Sequence, residues 1–186
     1  MKELSLNILD IAKNSVKAGA SLIRIALDED AERLVITIAD NGCGMKEEQV
    51  KSLRDPFFTT RTTRKVGLGI PFYALAAEQT GGSLEISSRH ESEYPQDHGT
   101  VVTATFIKSS IDYTPLGDII STVVTLIQGS DTIDFEFVHK HENGIVSLNT
   151  AEMREVLGEG IPLSSPEILV WIEENLKEQY SEASSN

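Results

Sequence analysis

The chain has 186 residues and 20.4 kDa, of which 40% are apolar and 24% charged, a balance that supports a folded core rather than disorder. Its 29 acids against 16 bases give a net charge of −13, which argues against a protein that binds nucleic acid by blanketing phosphates. One cysteine, Cys43, excludes an intrachain disulfide and a cysteine-built zinc site, and no apolar run approaches the ~20 residues of a membrane helix.

The charge is uneven. Residues 1–108 hold 15 acids and 13 bases, whereas residues 109–186 hold 14 acids and 3 bases. The acidic half is either a docking face for a basic partner or simply a solubilising surface. The N-terminus lacks the pattern of a signal peptide, because Asp10 and Lys13 interrupt its first apolar stretch. The expectation is a cytoplasmic protein with no membrane and no nucleic-acid partner.

In chain order, Leu4, Ile8, Ile11 and Ala12 recur at helical spacing over 3–18, and Gly19 stops the helix. Residues 21–27 and 33–39 alternate as two strands of a hairpin. Asp40-Asn41-Gly42-Cys43-Gly44 is a loop by composition, and 46–53 reads as a short helix. Residues 55–69 have no period and are rich in threonine and basic residues. A helix over 69–80 ends at Gly81-Gly82, and two strands follow at 83–88 and 100–107. Beyond residue 109 the pattern restarts: a helix over 115–128, a strand over 132–139, a turn at Asn143-Gly144, a strand over 145–149, and helices over 150–157 and 166–179.

Four constellations carry chemistry. Asp10 and Asn14 lie four apart, so they share one face of the first helix. An amide oxygen beside a carboxylate suits a hydrated Mg²⁺, and the carboxylate could instead orient or deprotonate a nucleophile. An ordinary solvent-facing helix carries such pairs too. Next, Asp40 ends a strand and runs into Gly42, Gly44 and Met45, where glycines permit close approach of a flat ligand and the acid can accept from an exocyclic amine. Third, Gly67-Leu68-Gly69 opens a helix, with Arg61, Arg64 and Lys65 just upstream. Helix-start N–H groups with bases nearby suit phosphate. Fourth, Gly99-Thr100 leads a strand, and the threonine hydroxyl can both donate and accept.

Each signal is modest, but their order within about ninety residues resembles the GHKL superfamily of ATP-binding domains, shared by sensor histidine kinases, anti-sigma serine kinases, type II topoisomerases, heat-shock chaperones and mismatch-repair ATPases. The resemblance covers residues 3–108. It implies that Asn14 coordinates Mg²⁺ and that Asp10 stands where the ATPase and anti-sigma members have a catalytic Glu. It also implies that Asp40, with Gly42, Gly44 and Met45, binds adenine, and that Thr100 backs that site. Phe57 or Phe58 resembles the aromatic box, and Gly67 and Gly69, flanking Leu68, match the second glycine box beneath an ATP lid, with Arg64 and Lys65 upstream placed to reach the phosphates.

The implied fold is an α/β two-layer sandwich of Bergerat type: a mixed four-stranded sheet packed on the helices, with a small α+β extension. The expected division is an ATP-binding domain over 1–108 and an acidic extension of unknown role over 109–186. No histidine precedes the Asn14 box, so a phosphate acceptor is expected on another protein. The expected function is a stand-alone Mg-ATP-dependent protein kinase or ATPase acting on a partner in signal transduction, or else a non-catalytic ATP-sensing regulator. His139 and His141 share a strand face, and without a third ligand the pair reads as structural.

Overall fold

A computed structural model describes residues 3–53, 69–158 and 160–184. The helix α1 (Leu4–Lys17) buries Leu4, Ile8, Ile11 and Ala12, the apolar stripe that its spacing predicts. Then come β1 (Leu22–Glu29), β2 (Arg33–Asp40), α2 (Glu47–Leu53), α3 (Gly69–Gln79), β3 (Ser83–Arg89) and β4 (Gly99–Ile107). The remainder forms α4 (Ile119–Gln128), β5 (Asp134–His141), β6 (Gly144–Asn149), α5 (Thr150–Leu157) and α6 (Pro166–Ser184).

The strands make one mixed sheet in the order β3-β4-β2-β1-β5-β6. All pairings are antiparallel except β1 with β5, where Leu22 stands opposite Asp134. The sheet therefore has six strands rather than four. The extra hairpin adds to the edge of β1 because Phe135 and Phe137 continue the same apolar face as Ile23, Ile25 and Leu27. A boundary at residue 108 falls between β4 and α4, yet one hydrophobic core gathers residues from both sides of it.

One sheet face is apolar over most of its length, with Leu34, Ile36 and Ile38 on β2 and Val102, Ala104 and Phe106 on β4. The helices α3, α1, α4 and α6 cover it in that spatial order. The opposite face is partly polar, as antiparallel sheets allow: Arg24 pairs with Glu136, and the Thr37 and Thr103 hydroxyls lie 3.4 Å apart.

The helix α4 begins at Ile119, four residues later than its apolar spacing suggests. The carbonyls of Pro115 and Leu116 are engaged elsewhere, accepting from the N–H groups of Leu4 and Ser5 and so satisfying the start of α1. Asp118 then caps α4 by accepting from the N–H of Ser121 at 2.9 Å. At the other end, α6 continues through Ser184, past the expected stop at 179, with Ala183 packed on Gly144.

A polar cluster ties the later strands to the earlier ones. His139, 4% exposed, sits between the Tyr180 hydroxyl (2.7 Å) and Glu29 (3.0 Å), and Lys108 donates to Glu29 at 2.7 Å. Burial holds the His139 pKa below the ordinary histidine value, against the opposing pull of Glu29. Burial alone would push the Glu29 carboxyl up, but Lys108 and His139 together outweigh it and hold it low. The histidine pair is thus built into the packing, with the His141 ring stacked on Tyr180. Among the described residues, no three His, Cys, Asp or Glu side chains gather as a metal cage, and no helix is long and apolar enough to cross a membrane.

Candidate nucleotide site

The site begins with strand register. Asp40 on β2 stands opposite Thr100 on β4, and Thr100 stands opposite Ser88 on β3. All three continue the rows that carry Ile38, Val102 and Ile86, so they point to the helix-covered face. The apolar sheet therefore ends in a polar row. The Ser88 hydroxyl lies 2.8 Å from that of Thr100 and 3.0 Å from the Gly99 carbonyl, and it accepts from the N–H of Met45 at 2.8 Å.

The Asp40 carboxylate is held from two directions. Oδ2 accepts from the Ser15 hydroxyl at 2.5 Å, and Oδ1 accepts from the N–H of Gly42 at 2.9 Å. Ser15 is a buried residue of α1, next in sequence to Asn14. Asn14 and Asp10 themselves are exposed and make no side-chain hydrogen bond to another described residue. A carboxylate has about four acceptor positions, so Asp40 keeps capacity for further donors.

The loop after β2 is fixed by the chain itself. Asn41 accepts from the N–H groups of Ser21 and Leu22, locking the start of β1, and Cys43 N–H donates to the Ala18 carbonyl. Gly44 has φ +68°, and a Cβ there would lie 1.9 Å from the Arg89 carbonyl oxygen. At Gly42 a Cβ would lie 2.9 Å from Ala18. These glycines thus let the loop pack between the end of α1 and the end of β3. His98 adds a ring-nitrogen contact of 2.5 Å to the Gly42 carbonyl. A cavity of about 280 Å³ opens at this strand end, lined among others by Asp40, His98, Gly99 and Thr100 and also by Ser87 and Val101 of the opposite sheet face, with no residue of α1 or α3 among its described lining.

Further back along α1, a Cβ on Gly69 would lie 3.7 Å from the Asp10 Cβ, so the start of α3 rests against Asp10. The structure thus gathers Asp40, Gly42, Gly44, Met45 and Thr100 at one sheet end, with Asn14 beside the linking Ser15, and puts Gly69 against Asp10. Phe57, Arg64, Lys65, Gly67 and Leu68 lie outside the described residues.

Sequence reasoning missed Ser15, Ser88 and His98, since an isolated serine or histidine carries no pattern. It also passed over Asn7, which precedes Asp10 by three and Asn14 by seven and so extends their row. Asn7 is 7% exposed, and its Oδ1 has no partner among the described residues.

The chain is thus a mixed sheet covered on one face by helices, with a polar strand end beside an Asp/Asn helix face. The model for the histidine kinase-, DNA gyrase B- and HSP90-like ATPases matches residues 2–137, and the chain belongs to that family. The match runs through α4 and into β5. The chain is 34% identical over 91 residues to the nitrogen regulation protein NtrY of Azorhizobium caulinodans, covering 46% of this chain and 12% of NtrY. It is 28% identical over 104 residues to sporulation kinase B of Bacillus subtilis, covering 54% of this chain and 23% of that kinase. It spans less than a quarter of the length of these relatives.

Among solved structures, the ADP complex of the Aquifex aeolicus MutL ATPase domain shares the fold, with a TM-score of 0.52 and 15% identity over 84% of this chain and 69% of that one. The N-terminal domain of a DNA repair protein does so with a TM-score of 0.55 and 15% identity, over 85% of this chain and 57% of that one.

Proposed function

We propose that this chain binds Mg-ATP between α1 and the polar end of the sheet, and uses it in the cytoplasm as a protein kinase or ATPase acting on a regulated partner protein. The observation that carries the reading is the row Asp40–Thr100–Ser88, tied to α1 by the Ser15–Asp40 hydrogen bond. Asp40, restrained on both oxygens, accepts from the adenine amine, and Thr100 supplies a neighbouring hydroxyl. Preorganised acceptors of this kind recognise an amine without reorganising on binding.

The donor set on α1 fits magnesium. Asn14 and Asp10 offer an amide oxygen and a carboxylate on one exposed face, and Mg²⁺ takes one or two protein oxygens while keeping waters and phosphates. Asn14 would hold the ion, which when bound neutralises phosphate charge. The start of α3 at Gly69 presents helix N–H groups suited to a phosphate. Asp10, packed against that start, orients or deprotonates the nucleophile. Phosphoryl transfer asks mainly for such positioning and charge neutralisation.

A second reading rests on Asp10 itself, which is one methylene shorter than glutamate and so reaches less far. In that reading the chain is an ATP-sensing module without turnover. Incubation with γ-labelled ATP separates the two. The enzyme reading predicts that Asp10→Asn keeps nucleotide affinity within about twofold and lowers phosphate release or transfer at least about a hundredfold. Equal turnover in wild type and Asp10→Asn removes Asp10 from the mechanism.

A further inference from the structure

We propose that the groove between the β5–β6 hairpin, α5 and the first turns of α6 docks a basic amphipathic helix of another protein. The groove is a cavity of about 850 Å³, whose apolar lining includes Val138, Leu148, Met153, Leu157, Ile168 and Trp171. Its apolar surface continues outward: Val156 is 88% exposed and Trp171 52%. An exposed apolar surface of this kind, with polar groups at its margin, marks an interaction site.

The groove's charge selects the occupant. Glu136, Glu152 and Glu167 line it. Among the described residues Glu136 is ion-paired with Arg24 and the other two have no basic partner, and none of the described lining residues is lysine, arginine or histidine. Two of the three basic residues beyond position 109, Arg154 and Lys177, are paired with Asp134 and Glu173. A partner therefore meets apolar surface flanked by carboxylates, which complements leucine-like side chains flanked by lysine or arginine.

Other occupants fit less well. The groove's polar groups are largely engaged within the chain: Glu136 with Arg24, Glu152 with Asn149, and the Ser147 backbone with the Gln179 amide. That leaves little to orient a small polar ligand. The Gln179 contacts also cover the outer edge of β6, which disfavours an added strand. A second copy would bring like-charged margins together on a chain of net charge −13. The proposal does not depend on the nucleotide reading, because the groove involves none of the residues placed at Asp40.

Trp171 is the chain's one tryptophan and reports directly on the groove. The test is a fluorescence titration of the full chain with a synthetic amphipathic leucine–lysine helical peptide. The controls are a leucine–glutamate peptide of the same apolar spacing and a serine–lysine peptide of the same charge. The leucine–lysine peptide is expected to blue-shift Trp171 emission and saturate, with both controls weaker by about tenfold or more. Val156→Asp, on an exposed side chain, should leave the melting temperature unchanged and weaken the peptide about tenfold, although it adds an attractive charge. Asp40→Asn should leave peptide binding intact, separating this site from the nucleotide site. Any of four results overturns the proposal: no shift, equal binding of the serine–lysine peptide, unchanged affinity in Val156→Asp, or a concentration-dependent shift without peptide, which would mean self-association.

Discussion

The two flanks of the sheet end in opposite ways. On the β2–β4–β3 flank, the helix-facing rows pass from Ile38, Val102 and Ile86 to Asp40, Thr100 and Ser88, and the chain's own donors restrain the acid there. On the β5–β6 flank, apolar side chains reach the surface while most of the nearby polar groups are engaged internally. The first arrangement offers directed hydrogen bonds to a small polar ligand. The second offers area and charge, the terms in which a macromolecular partner is recognised. A single core spans both flanks, so one chain can present two unlike surfaces on one sheet.

The largest expected contrast is in tolerance to substitution. Gly44→Val places a side chain where a Cβ would already sit 1.9 Å from the Arg89 carbonyl, at φ +68°. It is expected to cost more than about 3 kcal/mol. Val156→Ser, at an 88% exposed position, should stay within about 0.5 kcal/mol. Urea unfolding of both variants measures the difference, and comparable losses would erase the contrast.

A smaller effect is expected from Ser15→Ala. It removes a buried hydroxyl donor from a carboxylate and should cost about 2 kcal/mol, with a parallel fall in nucleotide affinity as Asp40 loses its restraint. Stability loss without any change in affinity would make Ser15 a packing residue alone.

The smallest effect concerns the junction between the flanks. His139 is held neutral by burial, with its folded pKa below the ordinary 6.5. As pH falls through 6.5, the unfolded chain takes up a proton that the folded chain does not, so stability declines until the folded value is reached. The Glu29 carboxyl, held below its ordinary 4.5, adds a further loss only under more acidic conditions. Thermal melts from neutral pH to below 6 should show the decline in wild type and a flatter profile in His139→Gln. Parallel profiles would place the titration elsewhere.

The same contrast governs what could be read from sequence. Local patterns gave the helix–hairpin opening, the Asp40–Gly44 loop and the strand led by Gly99-Thr100, because each is a run of neighbours with a period or a turn signature. Ser15 and Ser88 were not legible: their roles depend on α1 and β3 meeting β2 and β4 across tens of residues. The strands at 132–139 and 145–149 are legible one by one, but the parallel docking of β5 on β1, which joins Leu22 to Asp134, leaves no local signal, so sequence alone suggests a four-stranded sheet where one of six is present. The late start of α4 was legible in principle, since Gly117 and Asp118 form a turn and cap before Ser121, but apolar spacing from 115 masked it. The groove left no motif because its lining comes from two strands and two helices.

The most direct measurement is calorimetric titration of the full chain with ATP in the presence of Mg²⁺, in wild type and in Asp40→Asn. One saturable site in wild type, with affinity reduced about a hundredfold or more in the variant, is the expected result. A flat trace in wild type, or equal affinity in both, would contradict an adenine site built on Asp40.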